Sequence, residues 1–232
     1  AFTAAENRVV IYGSEGIGLP ETTALAHAGA ELLLKHGYSG QPNNGLLAVW
    51  PHNNTMGAWD MGFRPANDLP DALAGAQLTW IAAADPAGDH PALHLALKDA
   101  GFVVVQELFM TETAQMADVV LPVLPFTERE GTYTSGERQV QRFYPAVQER
   151  IGPLADFTIA ARIGQRLGLK LDEVSAAQVM LRIAEATPGY NGLSYPLISR
   201  VEEQWPIVGR GDMYYGGTTY ENSQGLGVRI PP

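Results

Sequence analysis

Residues Thr111 to Gln141 read TETAQMADVVLPVLPFTEREGTYTSGERQVQ, and the fold class rests on them. The run Ala117-Asp118-Val119-Val120-Leu121-Pro122 is short, apolar and closed by proline, the pattern of a central strand of a parallel sheet. A helical stretch precedes it. Downstream, Gly131-Thr132-Tyr133-Thr134-Ser135-Gly136-Glu137-Arg138 alternates β-formers with turn residues. That pattern predicts a hairpin or an ordered loop beside the strand's C-terminal end. Ligands of open α/β sheets gather at such ends.

The same rhythm extends toward the N-terminus. Arg8 to Tyr12, Leu46 to Trp50, Leu78 to Ala83 and Phe102 to Gln106 read as further strands. Pro20 to His36, stopped by Gly37, and Pro91 to Ala100, with Pro in its first turn and Gly101 at its end, read as helices. Strands separated by helices imply right-handed crossovers and a parallel sheet covered on both faces. The expected fold is α/β, a doubly wound, mainly parallel sheet over residues 1–145. Asp156 to Leu167 and Ser175 to Ala186 predict two amphipathic helices in a small helical region, residues 146–186. From Thr187 onward Gly and Pro recur among Trp205, Tyr214, Tyr215 and Tyr220. Residues 187–232 are therefore expected to form an extended tail whose aromatics wrap against another surface.

Composition narrows the function classes. A hydrophobic content of 46% in 232 residues supports a buried core and excludes intrinsic disorder. A formal charge of −10 argues against nucleic acid or an anionic membrane as a partner. Apolar runs such as Val119 to Phe126 fall far short of the roughly 20 residues a membrane helix needs, so no direct membrane insertion is expected. Cysteine is absent, which excludes disulfides and cysteine-ligated iron–sulfur clusters or zinc within these residues. The sequence starts at Ala1 without Met and lacks a charged-then-apolar signal segment, which suits a piece of a longer polypeptide.

Several motifs are candidates for chemistry. Gly13-Ser14-Glu15-Gly16-Ile17-Gly18 follows a strand and opens a helix, the context for phosphate at a helix N-terminus. Its G-x-x-G-x-G spacing, with Trp50-Pro51-His52 where a ribose-binding acid would stand, favours a tight strand-to-helix turn. Asn53 to Gly62 is rich in Asn and Gly, which predicts several left-handed turns pinned by amide side chains. His90 and His94 are four apart, yet Pro91 places His90 at the N-cap of its helix and no third ligand is evident. No metal site is expected. Glu128 with Glu130, and Asp118 with Glu112, lack a nucleophile to serve as acid–base pairs. Glu137 and Arg138 are expected in structural ion pairs, with Arg129 or Arg142 nearby. No G-x-S-x-G elbow is present, and no catalytic residue is expected.

The chain resembles the molybdopterin oxidoreductases and their relative, the large iron–sulfur subunit (75-kDa-type) of bacterial respiratory NADH:quinone oxidoreductase, complex I. The shared signature is an ETA helix start, here Glu112-Thr113-Ala114, an ADVVLP strand, here Ala117 to Pro122, and E-x-x-GT-[FY]-T-x-x-E-R-x-V-Q, here Glu128 to Gln141. Asn53 to Pro65 matches the family's NN-x-x-G-x-x-DMG-x-x-P loop, which lies near the pterin and its nucleotide in cofactor-bearing relatives. The resemblance marks Asn53, Asn54, Gly57, Asp60, Asp85, Pro86, Glu107 and Thr134 as positions of a cofactor site. It also shows departures. Ala83-Ala84-Asp85-Pro86 replaces Gly-Glu-Asn-Pro, Glu107 replaces Asp, Thr134-Ser135-Gly136 replaces Thr-Asn, and Gln139 replaces a second Arg. A carboxylate at Asp85 would repel phosphates, and loss of a guanidinium removes a bidentate clamp. These departures imply a vestigial site without molybdopterin.

Gln204-Trp205-Pro206 and Tyr214 to Asn222 are similar to the C-terminal region of complex I large subunits. The implied function is a scaffold within the peripheral arm of the proton-translocating NADH:quinone oxidoreductase, carrying electrons from NADH to quinone. Its iron–sulfur clusters would lie on cysteines in an N-terminal part outside these residues. Its partners would be other peripheral-arm subunits, and its place the cytoplasmic face of the inner membrane. Two alternatives stay open: the nucleotide-binding domain of an active molybdenum or tungsten bis-molybdopterin oxidoreductase such as a formate dehydrogenase, and a free-standing Rossmann-like protein binding NAD or a flavin.

Overall fold

β-branched runs broken by Ala- and Leu-rich segments fold here as parallel strands and crossover helices. The computed structural model describes residues 2–13, 19–41, 43–50, 52–66, 68–136, 138–171, 175–199 and 228–230. In chain order these form β1 (Val9–Gly13), α1 (Leu19–Lys35), β2 (Gly45–Val49), α2 (Thr55–Asp60), α3 (Leu69–Ala74), β3 (Leu78–Ala82), α4 (Pro86–Asp89), α5 (Pro91–Lys98) and β4 (Phe102–Glu107). Then follow α6 (Glu112–Met116), β5 (Val119–Pro122), β6 (Gly131–Thr134), β7 (Gln139–Phe143), α7 (Asp156–Arg166), α8 (Ala176–Ala186), α9 (Tyr195–Ile198) and β8 (Val228–Arg229). The α/β class with parallel sheets is as the sequence predicts. Most of the Gly13–Gly18 turn, and the tail residues Trp205, Tyr214, Tyr215 and Tyr220, lie outside the described residues. Among the described residues no helix is long and apolar enough to cross a membrane.

The chain divides into two units. The first holds residues up to 62 together with 133–141 and the C-terminal strand. There β1 and β2 pair in parallel from Val9↔Gly45 to Gly13↔Val49, joined through α1. Residues 133–141 and β8 contribute to a second sheet of order β6-β7-β8, in which β8 runs antiparallel to β7 with Gln139 opposite Arg229.

The second unit comprises residues 63–132 and 142–202. Its sheet has the order β3-β4-β5, all parallel, with Leu78 beside Phe102 and Val104 beside Val119. Leu73, Ile81, Leu97, Val103, Val105 and Ala114 form the core between this sheet and the helices α3, α5 and α6. Local chemistry fixes the ends. His90 caps α5, its Nδ1 accepting the Ala92 N–H at 3.2 Å, with Pro91 as the first helical residue. Asp118 Oδ2 accepts the Val103 N–H at 2.7 Å and ties the start of β5 to β4. Beyond α8, Tyr190, Leu193, Tyr195 and Ile198 are buried. The Arg142 guanidinium sits 4.2 Å from the Tyr144 ring centre and 4.3 Å from that of Tyr195. Burial, assisted by the Glu130 charge, pushes the Tyr195 phenol up to about 12, so it stays protonated.

Ala83, just past β3, has φ +52°, a left-handed conformation that costs a residue with a Cβ about 1–2 kcal/mol. Its N–H still donates to Gln106 O at 2.9 Å, so the ladder holds the backbone there. Replacing Ala83 with Gly removes the steric cost and adds unfolded-chain entropy, for a net gain of up to about 1 kcal/mol. Urea unfolding checks this, and a loss of stability would show that the Ala83 methyl makes a compensating contact.

Candidate functional site

The distinctive residues of the first unit converge where the segment 53–62 meets the hairpin of β6 and β7. Asn54 precedes α2 but does not cap it. Its Oδ1 instead accepts the Thr134 N–H at 2.9 Å, joining residues 80 apart in sequence. The Asn54 carboxamide occupies the space that a Cβ on Gly57 would need. Gly57 is thus required for close packing. The several left-handed turns expected from Asn53 to Gly62 are not there: Thr55–Asp60 is helical, and within the stretch only Gly62, at φ +92°, is left-handed. The amide side chain pins this segment to the hairpin, leaving its own backbone free to take the helical conformation.

Asp60 makes the second tie. Its Oδ1 accepts from Arg138 Nη1 at 3.1 Å, and its side chain is only 11% exposed. Arg138 closes a three-residue hairpin loop in which the Ser135 N–H donates to Gln139 O (2.9 Å) and the Arg138 N–H to Ser135 O (2.8 Å). Arg138 has φ +62°, at the loop position that normally selects glycine. The ion pair offsets that strain. Arg138 therefore pairs with Asp60, a partner outside the hairpin, whereas Glu137, also expected in an ion pair, lies outside the described residues. Arg142 pairs with Glu130 (2.6 Å) and Arg129 with Asp156 (3.4 Å). Spacing along the chain could not reveal a partner 78 residues away.

Held by these two ties, Trp50, His52, Asn53, Tyr133, Ser135 and Gly136 border a cleft of about 420 Å³. An adjoining hollow of about 830 Å³ shares Trp50, Ser135 and Gly136 and reaches Met56 and Gln139. Trp50 stays 43% exposed. A Cβ on Gly136 would lie 3.4 Å from the Trp50 ring and 3.8 Å from Ala48 O, ordinary van der Waals contact, so the indole lies directly beside the hairpin tip and only a side chain larger than alanine's would crowd it. Tyr133 belongs to the Glu128–Gln141 signature and Trp50 and His52 follow the second strand, but the sequence did not mark any of the three as a site residue; their gathering around the hairpin does.

The other marked residues sit in the second unit. Asp85 caps α4, with Pro86 as its first helical residue. Its Oδ1 accepts the Thr113 hydroxyl at 2.7 Å, the Thr113 N–H at 2.8 Å and the Gly88 N–H at 3.3 Å. The Thr113 hydroxyl and then its N–H hold the Asp85 carboxyl below the usual carboxylate range. Thr113 is fully buried and its Oγ1 also accepts the Ala87 N–H at 2.9 Å. Glu107 ends β4, and its Oε1 accepts the Leu108 N–H at 2.6 Å. Glu128 binds Arg150, Asp118 caps β4, and Glu112 lies 3.7 Å from His94 Nδ1. Among the described residues no group of three or more His, Asp or Glu could hold a metal ion. The structure thus brings Asn53, Asn54, Gly57, Asp60 and Thr134 together in one unit, and sets Asp85, Pro86 and Glu107 at strand ends of the other.

Residues 1–166 match the model of the molybdopterin oxidoreductase family. Among relatives, the chain is 31% identical over 90% of its length to a protein of Staphylococcus haemolyticus (strain JCSC1435) named as a formate dehydrogenase. It is 31% identical over 88% of its length to the F420-dependent formate dehydrogenase 2 subunit alpha of Methanococcus maripaludis. A protein of Staphylococcus aureus (strain USA300), also named as a formate dehydrogenase, is 30% identical over 90%. The chain spans 25%, 36% and 25% of these three relatives. These matches overturn the expectation of a complex I large subunit. That choice leaned on residues 204–222, which lie outside the described residues, whereas the likeness to formate dehydrogenases runs along nearly the whole chain.

Two outcomes are expected. In a double-mutant cycle followed by urea unfolding, Asp60→Asn and Arg138→Gln are non-additive, with a coupling of about 1–2 kcal/mol; additive effects would show that the pair does not hold the hairpin. For Asp85, a lowered carboxyl pKa gives stability that is present above the ordinary carboxylate pKa and lost as pH falls through the lowered value. Thr113→Val moves the Asp85 pKa up in a carboxyl NMR titration. Its destabilisation is largest at neutral pH and shrinks in acid. An unmoved pKa would rule out Thr113 as the cause.

Proposed function

The chain belongs to the molybdopterin oxidoreductase family, and we propose that it is the pterin- and nucleotide-holding part of a formate-dehydrogenase-like enzyme. The observation that carries this is the likeness to formate dehydrogenases over 88–90% of the chain.

The residues around the cleft fit such a group. Asn53, Ser135 and Gln141 offer neutral donors and acceptors, and Trp50 offers an exposed ring face. That set suits a planar heterocycle with an amide-like edge, as pterin and guanine have. A volume of about 420 Å³ is within the range of small-ligand sites, roughly 300–1,000 Å³. Gly136 leaves the approach to Trp50 open, where a side chain larger than alanine's would narrow it.

Two features that the sequence set against a working site have a local explanation. The Asp85 carboxylate is engaged by Thr113 and Gly88 donors, so its charge stabilises the caps of α4 and α6 and need not face a phosphate. Ala83 keeps the left-handed backbone that glycine would take, so the turn after β3 survives the added methyl. The roles follow from these contacts. Asn54 and Asp60 hold the hairpin in register, Ser135 and Gly136 shape the cleft's edge, and Trp50 excludes water from one face of a bound ring. When bound, the molybdenum or tungsten pterin group would accept the two electrons released as formate becomes carbon dioxide.

The test is formate-dependent reduction of a viologen dye by the full-length protein, purified without oxygen. Activity is expected, and Gly136→Val should lower it at least tenfold together with pterin content. Pterin-loaded protein without formate-dependent reduction would refute the substrate. Unchanged pterin content in Gly136→Val would refute the role of the cleft.

A further inference from the structure

The sequence holds two asparagine–glycine pairs, Asn44-Gly45 and Asn191-Gly192. Such a pair can react with itself, because the glycine's backbone nitrogen, unshielded by a Cβ, can attack the asparagine's carboxamide carbon. The structure treats the two pairs differently. Asn44 Oδ1 accepts the Arg8 N–H at 2.9 Å, and the Gly45 N–H donates to Arg8 O at 3.0 Å. Both reacting groups are thus engaged where β2 begins its pairing with β1. Rotating that peptide toward the carboxamide would break the first rungs of the ladder.

Asn191-Gly192 lies in a turn of the second unit, closed by the Leu193 N–H donating to Tyr190 O at 3.0 Å. Among the described residues nothing hydrogen-bonds the Asn191 side chain or the Gly192 N–H. Gly192 has φ +82°, as the third residue of a type II turn does. Glycine takes either sign of φ at little steric cost, so the 191–192 peptide can flip with Tyr190 and Leu193 in place. The flip sweeps the Gly192 nitrogen past the Asn191 carboxamide, and no strand pairing is lost.

We propose that Asn191 is a site of spontaneous deamidation to isoaspartate. The Gly192 nitrogen bonds to Asn191 Cγ while the Cγ–Nδ2 bond breaks. The Gly192 amide proton leaves with the side-chain nitrogen as ammonia, and a succinimide ring remains. Water then opens the ring, at Cγ to give aspartate or at the main-chain carbonyl to give isoaspartate. Isoaspartate routes the main chain through Cβ and Cγ, adding a carbon atom between Tyr190 and Leu193, which are buried. It also places a carboxylate between them. The turn can no longer close as before, and it loosens its hold on α9, whose Tyr195 and Ile198 are buried just beyond.

The test incubates the full-length protein, folded, in mildly alkaline buffer and follows the peptides holding Asn44 and Asn191 by mass spectrometry. Electron-transfer fragmentation tells isoaspartate from aspartate. Amide loss at Asn191 severalfold faster than at Asn44, with isoaspartate among the products, is expected. Equal rates, faster loss at Asn44, or an intact Asn191 overturns the site. Glutamine would have to form a larger, slower-closing ring. Asn191→Gln should therefore keep its Tm through the incubation, while that of the unmodified protein falls as isoaspartate accumulates. An equal fall in both, or none in either, overturns the effect on the turn.

Discussion

Two ties between distant segments, Asn54 to Thr134 and Asp60 to Arg138, make the first unit's cleft possible. Each joins residues about 80 apart, and closing a loop of that length costs about 4 kcal/mol in chain entropy. A neutral hydrogen bond contributes about 1 kcal/mol and a charged one about 1.5–3. The ties therefore roughly offset one closure and cannot build the unit unaided. The pairing of β7 with β8 and of β1 with β2 supplies the rest. This is why Arg138 can be held in a left-handed conformation: the surrounding structure over-determines it, and strain of that kind gathers at functional sites.

The second unit shows how a charge that looks unsuited to a ligand site can be a structural asset. Asp85 accepts three donors on one oxygen, and each favours the ionised form. An asparagine there would bring a neutral acceptor and an extra donor with no evident use. The substitution thus strengthens the link between α4 and α6 and says little about what binds nearby.

Much of this was legible beforehand. Hydrophobic runs and their Pro and Gly boundaries located five parallel strands and the helices at 91, 156 and 176, because those signals are local. Pairing is not local: Leu46 to Trp50 looked no different from Leu78 to Ala83, yet β2 and β3 belong to separate sheets. Asn53, Asn54, Gly57, Asp60 and Thr134 were marked by motif and are neighbours in the structure. The convergence of Trp50 and Tyr133 on one cleft and the Arg138–Asp60 pair emerged only with the hairpin in place. The assignment to complex I failed for a related reason. An aromatic, Gly-rich tail is a compositional pattern with little chemistry of its own, and it weighed too heavily against the rest of the chain.

The central claim is that these residues help hold a pterin-bound metal. The most direct test is elemental analysis of the full-length protein, purified without oxygen, for molybdenum and tungsten, alongside fluorescence of its oxidised pterin. Stoichiometric metal with pterin is the predicted result. Protein isolated intact and without pterin, from cells supplied with both metals, would contradict the account.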